Sequence, residues 1–364
     1  MKVLILPINI ASQPAITAEA LNKLPGITAK CITQVIHPIQ TLGENTIFIP
    51  KHYPRRKPFK WLYYKLSYKW RIEKWIKWAD VLHYVWEPAL PDGKDLEIAY
   101  KMKKPIFIEW LGGDIREHKY LEQINKFYKE IFNNGYEYFE LETSGHSQKV
   151  QQEFGKVKAK ALLCPEMKLF LDKKLFPEGA ITFFQRMNIQ DFEPQYPSPS
   201  KKKPLIIHSP SAKVCKGTSH ILAALETLSK KYDFDFKLVQ NLTRVKALEL
   251  LQECDIFIDQ IILGSYGSAS MEAMSFGKPV VCYIMPEVYE AGLPSDCPII
   301  SANPENITEK LEGLIKDATY RNEVGIKSRA FVEKYHDADK LAFKLVDLYK
   351  KELELKKTGS KEYR

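Results

Sequence analysis

The sequence predicts an α/β protein of two domains, each built on a doubly wound parallel sheet. Three observations carry that expectation. Short apolar runs alternate with helical patterns through most of the chain, as parallel strands joined by crossover helices do. Residues 190–204, rich in proline and without periodicity, interrupt the alternation and read as a linker. The 364 residues also exceed what one ordinary core accommodates.

In order, strand-like runs fall at 2–6, 29–33, 81–85, 105–110, 136–141 and 159–164, with helical patterns at 15–24, 94–103, 122–133 and 147–154. After the linker, 205–208 is a strand, 209–217 a loop and 218–230 a helix. The strand at 234–239 and the helix at 243–253 lead into a longer unit. That unit, 256–281, starts as an apolar run, passes a loop holding Gly264 and Gly267, and continues as a helix of small residues. Gly277 and Pro279 stop the helix before Val280 and Val281 begin a strand. Helices at 303–316, 320–335 and 338–353 complete the chain. Expected domains are therefore 1–189 and 205–337, with 190–204 between them and 338–356 as a terminal helix.

Glycines at the strand-to-helix loop mark where a ligand sits in such sheets, and a helix N-terminus there favours phosphate. Glu272, one turn in, fits a carboxylate that takes ribose hydroxyls; the plain alternative is a solvated Glu in an ordinary βαβ unit. In 209–218, Lys213 and Lys216 precede a helix start, suited to a diphosphate or simply to a basic surface loop. Gly112, Gly113, Asp114 and Arg116 follow a strand directly. Asp114 there suits an acceptor hydroxyl and Arg116 a phosphate, unless the pair merely closes a tight turn. Asp233 and Asp235 alternate with aromatics at a strand start and read as surface, not as a metal site.

The segment 51–80 is unusual. It holds Trp61, Trp70, Trp75 and Trp78 among Arg55, Arg56, Lys57, Lys60, Lys65, Lys69, Arg71, Lys74 and Lys77. Trp61, Tyr64, Tyr68, Ile72, Trp75 and Ala79 share one helical face. Two readings stand: a helix lying on an anionic membrane surface, or a core helix with solvated lysines.

Composition narrows the partners. A net charge of +9 suits an anionic ligand or surface, and no nucleic-acid module accompanies it. No run reaches the ~20 apolar residues of a membrane span. The first residues read as a strand, not as a signal peptide. Six scattered cysteines without Cys-x-x-Cys spacing fit a reduced, cytoplasmic protein without structural zinc.

Taken together, these residues resemble the GT-B glycosyltransferases of the retaining family 4 type, most densely from 206 to 283. Lys216-Gly217-Thr218 looks like the family's diphosphate-binding lysine. Tyr266-Gly267, Glu272-Ala273-Met274 and Gly277-Lys278-Pro279-Val280-Val281 look like its donor signature, with Glu272 as the ribose-binding second Glu of E-x7-E. The resemblance implies a GT-B fold, two Rossmann-like doubly wound domains with a cleft between them, donor in the second and acceptor in the first. It implies that the last helix returns to the first domain and that a nucleoside-diphosphate sugar is the co-substrate, with no metal and no other cofactor. The first Glu of E-x7-E falls on Gly264, so backbone amides of 264–267 or Asp259 must replace it. The usual upstream arginine falls on Ser211, with Lys213 in compensation, and a histidine beside the Gly-x-Asp loop is Leu111.

The expected catalytic set is Asp114, Lys216 and Glu272. Donor contacts fall on Lys213, Lys216, Gly264, Ser265, Tyr266, Gly267, Ser268 and Glu272, and acceptor contacts on Gly112, Gly113, Asp114 and Arg116. The expected reaction is retaining transfer to a glycan or lipid-linked acceptor hydroxyl, in the cytoplasm or peripherally at the inner membrane face. A nucleotide-sugar epimerase and a non-catalytic nucleotide-sugar-binding scaffold are the competing readings.

Overall fold

The computed structural model describes residues 1–36, 42–51, 58–240 and 242–358. Arg55, Arg56 and Lys57, counted above among the cations, lie outside them. The chain divides into two compact units. One comprises Met1–Arg116, Gly145–Arg186 and Ala338–Arg364, the other Glu117–Ser144 and Met187–Asp337.

The first unit is a parallel sheet of Lys2–Pro7 (β1), Thr28–Thr33 (β2), Thr46–Phe48 (β3), Val81–Val85 (β4), Ile106–Trp110 (β5), Lys160–Leu163 (β6) and Ala180–Thr182 (β7). Their order is β3-β2-β1-β4-β5-β6-β7, so the winding reverses between β1 and β4. Every residue of β4 and β5 is buried, because crossover helices cover both faces of a parallel sheet.

A polar network crosses this core. Arg186 donates through Nη1 and Nη2 to the two oxygens of Glu109, at 2.7 and 2.9 Å. His83 Nε2 lies 3.3 Å from Glu109 Oε2, and its Nδ1 is 2.6 Å from the Tyr349 hydroxyl. Burial alone would raise the Glu109 carboxyl; Arg186 and His83 outweigh it and hold it below the usual range. Tyr349 belongs to the last helix, Ala338–Thr358, so that helix is pinned to the first sheet by a buried hydrogen bond.

The second unit is a parallel sheet of Leu205–His208 (β8), Asp235–Leu238 (β9), Ile256–Ile258 (β10), Val280–Cys282 (β11) and Ile300–Ser301 (β12), in the order β12-β11-β10-β8-β9. Ile206, Ile256, Ile258 and Val281 from its strands pack with Ile221, Leu225 and Leu228 of the helix Thr218–Ser229 and with Leu311 and Leu314 of the helix Ile307–Lys316.

Several expectations change. Residues 136–141 do not form a strand: Phe139–Thr143 is helical. Their alternating aromatics serve a ring cluster with Tyr128 and Phe132, and both tyrosine hydroxyls, of Tyr128 and Tyr136, donate to Glu142 at 2.7 Å. The helical pattern at 122–133 splits into His118–Ile124 and Lys126–Phe132, with Asn125 capping the latter through its side-chain oxygen. The stretch 190–204 is packed against the second unit. Gln195 N donates to Phe276 O at 2.9 Å, and Arg329 Nη1 donates to Phe192 O at 2.6 Å. The brief strands β3, β7 and β12, two or three residues each, carry too little pattern to be seen beforehand.

Removing one partner of a buried ion pair leaves the other charge uncompensated. Glu109→Ala is therefore expected to destabilise the first unit by about 3–5 kcal/mol, read as a lower urea midpoint of the transition that includes the last helix. A midpoint shift within error would show that Arg186 finds another partner.

Candidate functional site

In the second sheet β8 and β10 are neighbours, yet the chain leaves β8 towards β9 on one side and β10 towards β11 on the other. Between such strands, outside their carboxyl ends, doubly wound sheets bind ligands. Two loops rise there. The first, after β8, contains the single turn Lys213–Lys216 and ends at Gly217, with φ +73°. A Cβ at Gly217 would lie 2.6 Å from Ile261, so glycine lets this loop press onto the second loop. Ile261 N donates to Lys216 O at 3.2 Å, closing the contact.

The second loop follows β10 and begins at Asp259, which is 1% exposed. Lys216 Nζ donates to Asp259 Oδ1, and Ser270 Oγ donates to Asp259 Oδ2 at 2.6 Å. Burial would raise the Asp259 carboxyl, but Lys216 and Ser270 hold it below its usual range. Burial would lower the Lys216 ammonium, and Asp259 keeps it above its usual value. Both groups are therefore charged near neutral pH. His208, at the end of β8, is neutral there: burial lowers its pKa to about 4. It bonds to Ile258 O at 2.8 Å and to Thr218 Oγ1 at 3.0 Å.

The helix Ser268–Ser275 starts at the same edge. Gly267 at its N-cap supplies no side-chain cap, and a Cβ there would meet nothing within 4 Å. A helix N-terminus without a side-chain cap is the kind of position at which a phosphate is bound. Gly264 is the opposite case. Its φ is +85°, and a Cβ would lie 2.2 Å from Met285 Cγ. The backbone itself therefore refuses the Glu that the resemblance places there. Of the two expected replacements, Asp259 has both oxygens taken up by Lys216 and Ser270 in a buried position.

Glu272, one turn into the helix, has Arg244 Nη1 2.5 Å from its Oε1, and Arg244 opens the helix Arg244–Glu253. Burial raises the Glu272 carboxyl, against the opposing pull of Arg244 and Lys216. Tyr266 is buried and its hydroxyl is 3.0 Å from His336 Nε2, so its side chain belongs to the core. Ser265 is buried as well, while Ser268 is half-buried and Lys213 exposed at the start of its turn. Glu137 reaches that same turn, accepting from Val214 N and Cys215 N at 2.9 and 3.0 Å.

So Lys216, the 264–268 loop and Glu272 gather at one sheet edge. Arg244, Glu137 and Ser270 belong with them and were missed. Nothing in the sequence marked them: each is an ordinary polar residue until folding sets it beside its partner.

In the first unit, Gly112–Arg116 forms a turn after β5. Asp114 is fully buried. Its oxygens accept from Leu111 N at 3.1 and 3.0 Å and from Gly112 N at 2.7 Å. This replaces the expectation of a hydroxyl-orienting base, since the carboxyl builds the loop from inside. Burial lifts its pKa to about 6, against the loop amides and Arg116. Glu166, at the start of the turn after β6, is buried too and is pushed up to about 7, with Arg116 opposing. Arg116 and the open face of Gly112 are what the loop presents.

No family model and no curated protein matches the chain. Solved structures do. A sucrose-phosphate synthase from Thermosynechococcus elongatus aligns over 96% of this chain and 98% of its own, with TM-score 0.62 and 11% identity. Anabaena HepE in complex with UDP aligns over 96% and 100%, with TM-score 0.60 and 12% identity. A glycosyltransferase from Rickettsia africae aligns over 97% and 98%, with TM-score 0.60 and 14% identity. At such identities the likeness establishes the fold, which is GT-B.

Two outcomes are expected. Gly264→Glu should not restore a sugar-binding carboxylate but should destabilise the second unit, by about 1–2 kcal/mol from the left-handed backbone alone, seen as a lower melting temperature. Asp114 and Glu166 both bind a proton more tightly folded than unfolded. Their stabilisation is complete below about pH 4 and is lost as pH rises through about 6 and about 7. Urea stability of the first unit should therefore fall between about pH 4 and about pH 7, and Glu166→Gln should flatten the upper part of that slope. An unchanged slope in the variant would remove Glu166 from the account.

Proposed function

We propose that the chain is a glycosyltransferase that moves a sugar from a nucleoside-diphosphate donor to an acceptor hydroxyl, with retention of anomeric configuration and without a metal. One observation carries the reading: Lys216, the uncapped start of the helix Ser268–Ser275 and Glu272 converge at the switch point of the second sheet. A diphosphate needs a fixed cation and inward-facing amides, and a ribose needs an acceptor of two hydrogen bonds. The GT-B fold shared with a glycosyltransferase and with a UDP-bound protein supports the same reading.

As the glycosidic bond breaks, negative charge grows on the departing diphosphate. Lys216, held in place by Asp259, and the amides of 265–268 meet that charge without having to reorganise. Lys213, exposed beside them, adds long-range attraction for the anion. Glu272 exchanges its partner Arg244 for the ribose hydroxyls, and Arg244, 41% exposed, turns to solvent or to phosphate. The acceptor proton passes to an oxygen of the leaving phosphate, so no carboxylate base is required, consistent with Asp114 serving its loop. The first unit, through Arg116 and Gly112, takes the acceptor. A lipid-linked glycan precursor at the cytoplasmic membrane face suits the cationic chain.

Calorimetry against UDP-, GDP-, ADP- and TDP-sugars tests the donor site. One nucleotide class should bind. Glu272→Ala should weaken it roughly ten- to a hundredfold, the worth of a hydrogen bond to a charged group, while Lys216→Ala should lower turnover about 100- to 1000-fold. Binding of no nucleotide by the wild-type chain, or full turnover without Lys216, would refute the assignment.

A further inference from the structure

The helix Pro58–Trp78 is apolar on two sides. Its inner side is settled: Tyr68, Ile72 and Ile76 are buried, and the Tyr68 hydroxyl donates to Ala89 O at 2.9 Å. Tyr64 and Trp75 lie half-buried along the same line. Tyr64, Tyr68, Ile72, Trp75 and Ala79 belong to the aromatic face that the sequence offered to a membrane, and these five pack against the protein.

The opposite side is the unexplained one. Phe59, Leu62, Tyr63, Leu66 and Trp70 recur every three or four residues, which keeps them on one stripe. All five are exposed, Phe59 by 88% and Leu66 by 71%. Lys60, Lys69, Lys74 and Lys77, all exposed, flank the stripe and continue it towards the helix C-terminus. Lys74 Nζ lies 5.7 Å from the centre of the Trp70 ring, and Lys69 pairs loosely with Glu73 at 3.6 Å. Glu73 is the one acidic residue of the helix. No helix among the described residues is long and apolar enough to cross a membrane.

We infer that the stripe Phe59–Leu62–Tyr63–Leu66–Trp70, with Lys60, Lys69, Lys74 and Lys77, is a docking surface for an anionic lipid bilayer. Charge selects the occupant. A helix lying in the plane of a bilayer sinks its apolar side chains to the level of the acyl chains, while lysines reach back to phosphate headgroups. A contiguous line of large apolar groups followed by cations, with a single compensated carboxylate, matches that layering. The surface is independent of the nucleotide site, so it stands or falls apart from the transferase reading.

The test is flotation of the whole chain with vesicles of phosphatidylcholine alone or mixed with phosphatidylglycerol. The wild-type chain should float with the anionic vesicles at low salt and much less at high salt. Leu66→Asp with Trp70→Asp should abolish flotation. Lys69→Gln and Lys74→Gln should each weaken it about fivefold, the effect of about 1 kcal/mol per cation near an anionic surface. Because these positions are exposed, each variant should keep its melting temperature, and donor calorimetry on the same samples keeps the two proposals separable. Equal flotation of the Leu66→Asp, Trp70→Asp variant would overturn the inference. So would a wild-type chain that ignores anionic vesicles, or one that is dimeric in gel filtration and becomes monomeric in the variant.

Discussion

The carboxyl edge of the second sheet depends on one buried carboxylate. Asp259 ends β10 with almost no exposure, and a charge in that position is tolerable only with partners on both oxygens. Those partners come from two different elements. Lys216 arrives from the loop after β8, which is why that loop must run close to Ile261 and why Gly217 stands where any side chain would collide. Ser270 arrives from the helix Ser268–Ser275, fixing where that helix begins. The lysine, the helix start and the strand end are thereby locked to one another before any ligand is present. Such preorganisation is what electrostatic stabilisation of a leaving group requires.

The same logic gives this edge its charge state. Two ion pairs, Lys216 with Asp259 and Arg244 with Glu272, leave it locally neutral. They are not equivalent. The first is buried at its acidic end and further tied by Ser270, so it persists. The second has its cation end open, Arg244 being 41% exposed against 13% for Glu272, so the arginine is the freer partner. The edge therefore carries one cation fixed by its buried partner, Lys216, and one that is free to move, Arg244.

Much of this was legible beforehand, and the limits are physical. Alternation of apolar runs and helical spacing disclosed both parallel sheets, because burial on two faces writes continuous apolar strands. The Gly264–Gly267 loop and Glu272 were legible because turn chemistry and helix starts are local. Asp114 misled because local sequence shows a carboxylate beside a glycine turn but not its burial, which alone decides whether it faces a ligand or its own amides. Residues 117–144 belong to the second unit, where Asn125 Nδ2 donates to Ile262 O at 2.7 Å and Glu137 holds the turn at Val214. Contacts across such separations leave no periodic trace. The proline-rich 190–204 looked like a linker for its composition, yet proline-rich backbone with free carbonyls is well suited to be held by Arg329 and Lys278.

The helix Pro58–Trp78 shows where periodicity fails in principle. Both of its sides carry large apolar residues, so neither spacing nor composition says which one the sheet takes. The neighbours decide: Ala89 offers a carbonyl to Tyr68, and Ile72 and Ile76 are fully buried on that side. What is left outside then needs its own account, because exposed apolar groups are unremarkable singly but not in a line. A folded partner protein would have to present a groove both apolar and acidic, matched to this helix along its length. A bilayer needs no such match, since its depth already runs from hydrocarbon to phosphate. The cations beside Trp70 and beyond it then lie at the level where an anionic surface is most attractive.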